Sequence, residues 1–261
     1  MLPTLRRARI IELLRREGAA GLKDMSGSLG VSISTLRRDV DYLCALGHIE
    51  RTHGGAVLIE ARRAGVELTR DIATEVESAA KSAIGRAAAD LIRPGMTVIL
   101  DSGTTTAAAA RAARDRGIVF TAITNDIAIA ALLADSAIIT LHVTGGMVRA
   151  GTSTLLGGDT LRAFARLRVD IAFVGSHAVS ETGMSDTSVA VVEIKEAILS
   201  AADQPVLLAD SSKMFSRSFC SFGDFSRLER LVTDTRLPDT KRAVLERAGL
   251  RVDMVQIGGR A

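Results

Sequence analysis

The sequence predicts an α/β protein with two domains, a small helical module followed by a larger domain built on a mostly parallel sheet. Residues 5–43 contain three short amphipathic helical patterns, and from residue 80 onward short Val, Ile and Leu runs alternate with helical patterns. Unbroken apolar runs that alternate with helices are typical of a parallel sheet covered on both faces. We place the first domain at residues 1–57, a linker at 58–80 and the second domain at 81–261.

The N-terminal helices are predicted from their apolar spacing and from the residues that separate them. Residues 5–17 form a first helix, which the glycines at 18 and 21 interrupt, and residues 22–29 form a second, short one. Gly30-Val31-Ser32 makes a tight turn into a third helix, for which Ser32 is a suitable N-cap. This order of helix, helix, turn and helix is the plan of a helix-turn-helix module.

The third helix has two different faces. Leu36, Val40 and Leu43 recur at helical spacing and form an apolar stripe. The outward residues are Ser34, Thr35, Arg37, Arg38 and Asp41. Hydroxyls near a helix N-terminus and paired arginines suit the phosphates and base edges of a DNA major groove. On these residues alone, an ordinary amphipathic surface helix explains the pattern equally well.

The segment after this helix predicts a β-ribbon. Residues 47–57 contain two short strand-like runs around a polar tip, which indicates a wing beside the helix-turn-helix. We expect His48 and His53 to be solvent-exposed turn residues. No cysteine pair or carboxylate cluster stands around them at metal-ligand spacing, so no metal site is expected.

The positive charge of the chain is concentrated on the small module. Residues 1–56 hold 9 Lys/Arg and 6 Asp/Glu, whereas residues 57–261 hold 24 of each. The whole formal excess of +3 therefore lies on the first domain. A local positive excess favours a polyanion partner, so it supports the interpretation of the third helix as one that binds double-stranded DNA.

Composition excludes several other classes of protein. Hydrophobic residues make up 47% and charged residues 24%, which is typical of a soluble globular protein. There is no run of eighteen apolar residues and no apolar leader, so we expect no membrane partner, no signal peptide and a cytoplasmic location. Cys44 and Cys220 are expected to be reduced and buried rather than bridged.

The second domain is predicted to alternate between helices and strands. The predicted helices cover residues 80–91, 105–115, 126–133, 189–201 and 239–248. The predicted strands cover residues 96–100, 118–123, 138–143, 171–174, 206–209, 231–233 and 251–257.

Polar segments follow five of these strands. Because ligands gather at the carboxyl ends of parallel strands, these segments predict a binding site. They are Asp101-Ser102-Gly103-Thr104-Thr105-Thr106, Thr124-Asn125-Asp126, Thr144-Gly145-Gly146, Gly175-Ser176-His177 and Asp210-Ser211-Ser212-Lys213.

The first of these loops has the features of a phosphate site. Gly103 allows a close approach of the backbone, and the helix that follows offers free N–H groups at the positive end of its dipole. The alternative is a threonine-rich helix cap without a ligand. Lys213 adds a positive charge at another strand end, although a surface lysine after a turn explains it as well. The loop is not a Walker A motif, because no Gly-Lys-Thr follows.

Two sets of motifs together resemble the DeoR family of bacterial transcriptional regulators, over nearly the whole chain. The first set is Ser32-Ile33-Ser34-Thr35-Leu36-Arg37-Arg38-Asp39-Val40 followed by Arg51-Thr52-His53-Gly54-Gly55-Ala56. The second is the series Asp101-Ser-Gly-Thr-Thr, Thr124-Asn125, Gly145-Gly146, Asp170-x-Ala-Phe-Val-Gly175, Leu208-Ala-Asp-Ser-Ser-Lys213 and Thr233-Asp234. Leu36 and Val40 stand where the family usually has Ile and Leu.

The resemblance implies a winged helix-turn-helix followed by an effector domain of the ribose-5-phosphate isomerase type. The function it implies is a regulator, in most cases a repressor, of a carbohydrate-metabolism operon, controlled by a phosphorylated sugar or polyol and needing no cofactor. The implied DNA contacts are Ser32, Ser34, Thr35, Arg37, Arg38, Arg51, His53 and Gly54. The implied effector contacts are Asp101, Gly103, Thr104, Thr105, Thr106, Asn125, Gly145, Gly146, Asp186 and Lys213.

Two other functions compete with this one. A sugar-phosphate isomerase fused to a DNA-binding module would need a carboxylate base, yet residues 175–179 contain none, and His177 is the one candidate base there. We therefore expect binding without turnover, and no enzyme. A DNA binder without any ligand is disfavoured by the series of polar strand ends. The regulator is expected to act as a homo-oligomer, either a dimer or a tetramer.

Overall fold

The structure, a computed structural model, describes residues 1–59 and 67–258. It divides into two compact units, which meet in the chain between Ser78 and Ala79. In the described residues no helix is both long and apolar enough to cross a lipid bilayer. Cys44 and Cys220 are free and half-buried, so they are more exposed than predicted.

In its described residues the N-terminal unit combines four helices with a three-stranded antiparallel sheet. The helices are α1 (Pro3–Glu17), α2 (Leu22–Leu29), α3 (Ile33–Ala45) and α4 (Arg70–Glu75). The strands, in spatial order, are β1 (Ala19–Gly21), β3 (Gly55–Leu58) and β2 (Ile49–Arg51). The stretch predicted only to interrupt the helices thus adds a third strand to the wing.

Helix α3 is formed as its pattern predicts. Leu36, Val40 and Leu43 are fully buried in one core with α1 and α2. Ser32 caps the helix, because its Oγ accepts a hydrogen bond from the Thr35 amide at 3.2 Å. Gly30 ends α2 with φ +64°, a left-handed conformation that favours glycine and turns the chain sharply into α3.

We expect Gly55→Ala to destabilise the N-terminal unit by about 1–3 kcal/mol, as overpacking of a tight contact does. An added Cβ at Gly55 would lie 2.0 Å from the carbonyl oxygen of Ala20, on the neighbouring strand. Gly54→Ala is the matched control, because its Cβ would meet nothing within 4 Å. Thermal unfolding of the two variants tests this, and equal melting temperatures would contradict the proposed contact.

The second half of the predicted linker belongs to the N-terminal unit. Ile72 of α4 and Val76 are buried in the core of this unit, and the Glu77 amide donates to Glu12 Oε1 of α1 at 2.8 Å. The prediction missed this because residues 67–78 mix charged and apolar residues without a clear period. The predicted linker residues 60–66 lie outside the described residues.

The C-terminal unit is built on a parallel seven-stranded sheet. Its helices are α5 (Ser78–Asp90), α6 (Thr104–Asp115), α7 (Ile127–Leu133), α8 (Gly158–Ala165), α9 (Val189–Ala201) and α10 (Asp239–Arg247). The sheet strands, in spatial order, are β15 (Val252–Val255), β14 (Arg230–Asp234), β12 (Ala202–Leu208), β9 (Val169–Gly175), β4 (Thr97–Leu100), β5 (Phe120–Thr124) and β6 (Ile139–Val143). All neighbouring pairs are parallel, as predicted.

Alternate residues of the central strands face two separate cores. Ile99 and Val174 pack into the core on one face, while Val98, Leu100 and Phe173 pack into the core on the other. Both faces are buried because helices cover them, which explains why these strands are unbroken apolar runs.

Several small elements were not predicted. Helix α8 was missed, as were the hairpin of β7 (Met147–Val148) and β8 (Leu155–Leu156) and the small antiparallel sheet of β10 (Ala178–Val179), β11 (Gly183–Asp186) and β13 (Cys220–Asp224). Strands of two to five residues with serine, glycine and aspartate carry no recognisable period. These elements lie around the carboxyl ends of the main strands, where the candidate ligand site was expected.

Candidate functional site

The outer face of α3 carries exposed polar side chains, as predicted. Ser34, Arg37 and Arg38 are exposed, and Thr35 is half-buried. The Ser32 hydroxyl lies 3.0 Å from that of Ser34 and 2.9 Å from that of Thr35. Within the described residues neither Arg37 nor Arg38 forms an ion pair with a carboxylate. Their guanidinium groups are therefore available to an external anion.

Other arginines of the module hold α3 in place. Asp39 is 2% exposed and accepts hydrogen bonds from Arg6 and from Arg7, the latter at 3.0 Å, on α1. The Arg7 guanidinium also stacks 3.5 Å above the ring of Tyr42. Two of the five arginines on α1 thus serve to fix the orientation of α3. The sequence feature that could have predicted the burial of Asp39 is its position between Leu36 and Leu43, beside the apolar stripe.

The wing presents the three residues predicted there. Arg51, His53 and Gly54 are exposed, and Arg51 pairs with Asp41 of α3 at 2.8 Å. His48, in contrast, is 7% exposed, so the prediction of an exposed turn residue was wrong for it. Burial lowers the pKa of His48, because the charged imidazolium would lose its hydration. Its position beside Leu43 and Ile49 in the core explains the difference.

In the C-terminal unit, polar residues meet at the carboxyl ends of β4 and β9. These two strands are neighbours, and the chain proceeds from β4 towards β6 on one side and from β9 towards β15 on the other. Such a reversal of strand order opens a crevice at the carboxyl ends, where α/β proteins bind their ligands.

A buried lysine occupies this point. Lys195 of α9 donates from Nζ to Asp101 Oδ2 at 2.5 Å and to the Gly175 carbonyl at 2.8 Å. The same Nζ lies 3.7 Å from Asp186 Oδ2. Lys195 is 3% exposed and Asp101 is 1% exposed, so the pair is shielded from water. Burial raises the pKa of the Asp101 carboxyl, while Lys195 acts in the opposite direction.

In the structure Asp101 has a different role from the predicted one, which was to contact the effector. Its oxygens accept from Lys195, from the Gly175 amide at 3.0 Å and from the Ser102 amide at 2.7 Å. A carboxylate whose oxygens already accept these bonds would repel a phosphate rather than hold it. Asp186 lies in the same cluster, and its Oδ1 accepts from the Thr187 amide at 2.8 Å.

The N-terminus of α6 follows directly after Asp101. Gly103 has φ +145°, and its amide donates to Asp126 Oδ2 at 3.2 Å. Thr104 and Thr105 are half-buried. Thr106 is fully buried and its hydroxyl donates to the Gly103 carbonyl at 2.9 Å, so the prediction that this hydroxyl holds a phosphate does not fit.

The other predicted effector residues lie at neighbouring strand ends. Asn125 is fully buried; its Nδ2 donates to the Leu155 carbonyl at 3.2 Å, and its Oδ1 has no donor within the described part of the chain. Gly146 lies where an added Cβ would be 2.3 Å from Thr160 Oγ1, which is a packing reason for glycine. Gly145 is exposed, and Lys213 is half-buried after β12.

Sequence reasoning missed two contributors to this site, Lys195 and Arg149, and it placed Asp126 at a polar strand end without giving it a role. The signal for Lys195 was its spacing, because it stands four residues after Val191 and four before Leu199 on the buried stripe of α9. Asp126 stands at the N-cap of α7, where its Oδ1 accepts from two amides. Arg149 lies on a hairpin that had no recognisable pattern.

Comparisons with known families match both units. Residues 6–62 match the model of the DeoR-like helix-turn-helix domain, and residues 76–235 match the model of the DeoR C terminal sensor domain.

Individual relatives match over most of the chain. The HTH-type transcriptional regulator GlpR of Haloferax volcanii is 32% identical over 97% of this chain and 98% of that protein. The HTH-type transcriptional repressor GlcR of Bacillus subtilis is 32% identical over 88% of this chain and 87% of its own length. The lactose phosphotransferase system repressor of Lactococcus lactis is 30% identical over 88% and 90% of the two chains.

Similarity to solved structures is lower. Ribose 5-phosphate isomerase A from Methanocaldococcus jannaschii matches 53% of this chain and 54% of that chain, at 22% identity and a TM-score of 0.39. A similarity of this size carries no argument about activity or ligand, so the relation to the isomerase type stays a prediction.

Proposed function

The chain belongs to the DeoR family of helix-turn-helix transcriptional regulators, and we propose that it represses a carbohydrate-metabolism operon under the control of a phosphorylated sugar or polyol. Two of the relatives described above are named as repressors, and one of these names refers to lactose. No membrane partner and no catalytic step enter this proposal.

The outward face of α3 is the observation that carries the DNA-binding part. Two exposed arginines stand beside a cluster of three hydroxyls, on a helix whose opposite face is anchored in the core. A helix of this kind lies in the major groove in helix-turn-helix proteins, with its N-terminal residues at the base edges. Arg51, His53 and Gly54 of the wing would contact the backbone of the same DNA.

The strand ends of the C-terminal unit support the effector part. The amides of Thr104, Thr105 and Thr106 begin α6 and donate to no acceptor among the described residues, so the positive end of the helix is open to an anion. Lys213 adds a positive charge at the end of β12. An effector that binds these groups differently in two states of the protein would change its affinity for DNA.

A thermal-shift screen of the full chain against sugar and polyol phosphates tests the proposal. The operator is a duplex that the protein itself selects from a random pool. We expect a compound that raises the melting temperature also to weaken binding to this duplex. Stabilising compounds without any effect on DNA binding would contradict the control mechanism.

We expect Lys213→Ala to leave operator binding unchanged and to weaken the response to the effector by about 10-fold, because one charge-assisted hydrogen bond is lost. Titration of the protein–DNA complex with the effector measures this. Loss of DNA binding in the same variant would show that the two sites are not separable.

One observation favours a second function, a sugar-phosphate isomerase. A buried lysine between two carboxylates, one of which has a raised pKa, is the kind of cluster that active sites contain. Incubation with sugar phosphates and detection of isomerised product separates the two functions. Turnover that disappears in His177→Ala would establish the enzyme and overturn a purely regulatory role.

A further inference from the structure

We propose that Arg149, on the hairpin of β7 and β8, binds the phosphate of the effector together with the N-terminus of α6. This inference rests on the proposed function and adds a ligand contact to it. The class of ligand is a phosphate monoester that also carries hydroxyl groups.

The hairpin is fixed at the carboxyl end of β5. The Leu155 amide donates to the Asn125 carbonyl at 2.7 Å, and the Ile127 amide donates to the Ser153 carbonyl at 2.9 Å. Asp126 and Thr154 form an antiparallel bridge between these two bonds. The hairpin therefore lies beside Asp126. The carboxylate of Asp126 also accepts a hydrogen bond from the Gly103 amide, just before α6.

The side chain of Arg149 extends from this hairpin to the lysine cluster. Its backbone amide donates to the Thr154 carbonyl at 2.9 Å, which sets the direction of the residue. Its Nη2 donates to Thr187 Oγ1 at 3.3 Å. Thr187 follows Asp186, whose carboxylate lies 3.7 Å from Lys195 Nζ.

The contacts of the hairpin and of the lysine cluster form a closed ring of residues. They lead from Gly103 to Asp126, Thr154, Arg149, Thr187, Asp186, Lys195 and Asp101, and so back to the loop before Gly103. The open amides of α6 and the guanidinium of Arg149 thus belong to one closed ring of contacts at the ends of β4, β5 and β9.

Arg149 brings a cation into a ring that is rich in carboxylates. The ring contains the carboxylates of Asp101, Asp126 and Asp186 and the ammonium of Lys195. These carboxylates repel a phosphate dianion, and each cation beside them weakens that repulsion. The guanidinium of Arg149 supplies a planar fork of N–H donors that matches phosphate oxygens.

The buried side chain of Asn125 fits a ligand that carries hydroxyl groups. It is fully buried, one residue before Asp126 in the ring, and its Oδ1 lacks a donor within the described residues. A buried acceptor without a donor is costly, and the hydroxyl of a sugar or polyol would satisfy it. An inorganic anion alone would not.

The test compares the full chain with three variants, using inorganic phosphate, glycerol 3-phosphate and glucose 6-phosphate as probes. Isothermal titration gives affinities, and thermal unfolding without probe shows that each variant is folded. Arg149→Gln is expected to weaken binding of the phosphate esters by about 10- to 100-fold, the usual effect of removing charge-assisted hydrogen bonds. Arg149→Lys keeps the positive charge without the planar set of N–H donors, so we expect it to lose less affinity for the esters. It replaces Arg149→Gln in the test if the glutamine variant does not fold.

Arg166→Gln is the matched control, because it removes an exposed arginine at the end of α8 in the same unit. It is expected to bind the probes as the unchanged chain does. Equal affinities for the unchanged chain and Arg149→Gln would overturn the role of Arg149 and leave the proposed function standing. Absence of binding by the unchanged chain to every phosphate ester would overturn the proposed function itself, and Arg149 with it.

Discussion

Replacing Arg37 and Arg38 together by alanine is expected to weaken binding to the selected operator by about 30-fold or more, since each DNA-contacting arginine contributes about 1–3 kcal/mol. Both side chains are exposed, and within the described residues neither pairs with a carboxylate. Their removal breaks no contact of the core, so the melting temperature and the stabilisation by the effector should stay unchanged. Fluorescence anisotropy of a labelled duplex and thermal unfolding measure the two quantities.

The matched control is Arg9→Ala with Arg16→Ala, which removes the same charge from α1. These side chains are 57% and 71% exposed and pair with neighbouring glutamates, Glu12 and Glu17. At physiological salt a distant charge is largely screened, so the control should lose less than about fivefold in affinity. Equal losses in both double variants would mean that α3 contributes only net charge and does not read the DNA.

Replacing Lys195 by methionine is expected to lower the free energy of unfolding of the C-terminal unit by about 3–5 kcal/mol, the usual cost of removing one partner from a buried ion pair. Asp101 would then be a buried charge without its cation, beside a second carboxylate, Asp186. For a unit of this size the loss corresponds to a decrease of about 6–20 °C in melting temperature. Scanning calorimetry of the full chain measures it.

Lys241→Met is the control for this second prediction. Lys241 is exposed, and its Nζ lies 4.9 Å from the centre of the Phe215 ring, so its loss should cost about 1 kcal/mol or less. Asp101→Asn combined with Lys195→Met should recover part of the stability, because one buried charge is removed as well. A cost below about 1 kcal/mol for Lys195→Met alone would contradict the structural role of the pair.

The sequence predicted the elements that carry a clear period. Helix α3 is such a case, because Leu36, Val40 and Leu43 mark its buried face and Ser32 its start. The parallel sheet is another, since its strands are unbroken apolar runs between helices. The ends of its strands could be predicted too, because each apolar run stops where polar residues begin.

The rest depends on contacts between residues that are far apart in the chain. Asp101 and Lys195 are 94 positions apart, and no local pattern shows that they pair. Without that pairing, Asp101 was interpreted as an effector contact from the family resemblance alone. His48 was misjudged in the same way, since its burial follows from the core that the whole N-terminal unit forms around it.

Operator binding by the full chain, titrated with the phosphate ester that stabilises it, tests the central claim most directly. The claim is that a ligand at the strand ends controls the DNA affinity of α3. We expect the ester to weaken binding by about 5- to 150-fold, the usual range of coupling between two sites, and its unphosphorylated counterpart to have no effect. Operator affinity that does not change when the stabilising ester is bound would contradict the claim.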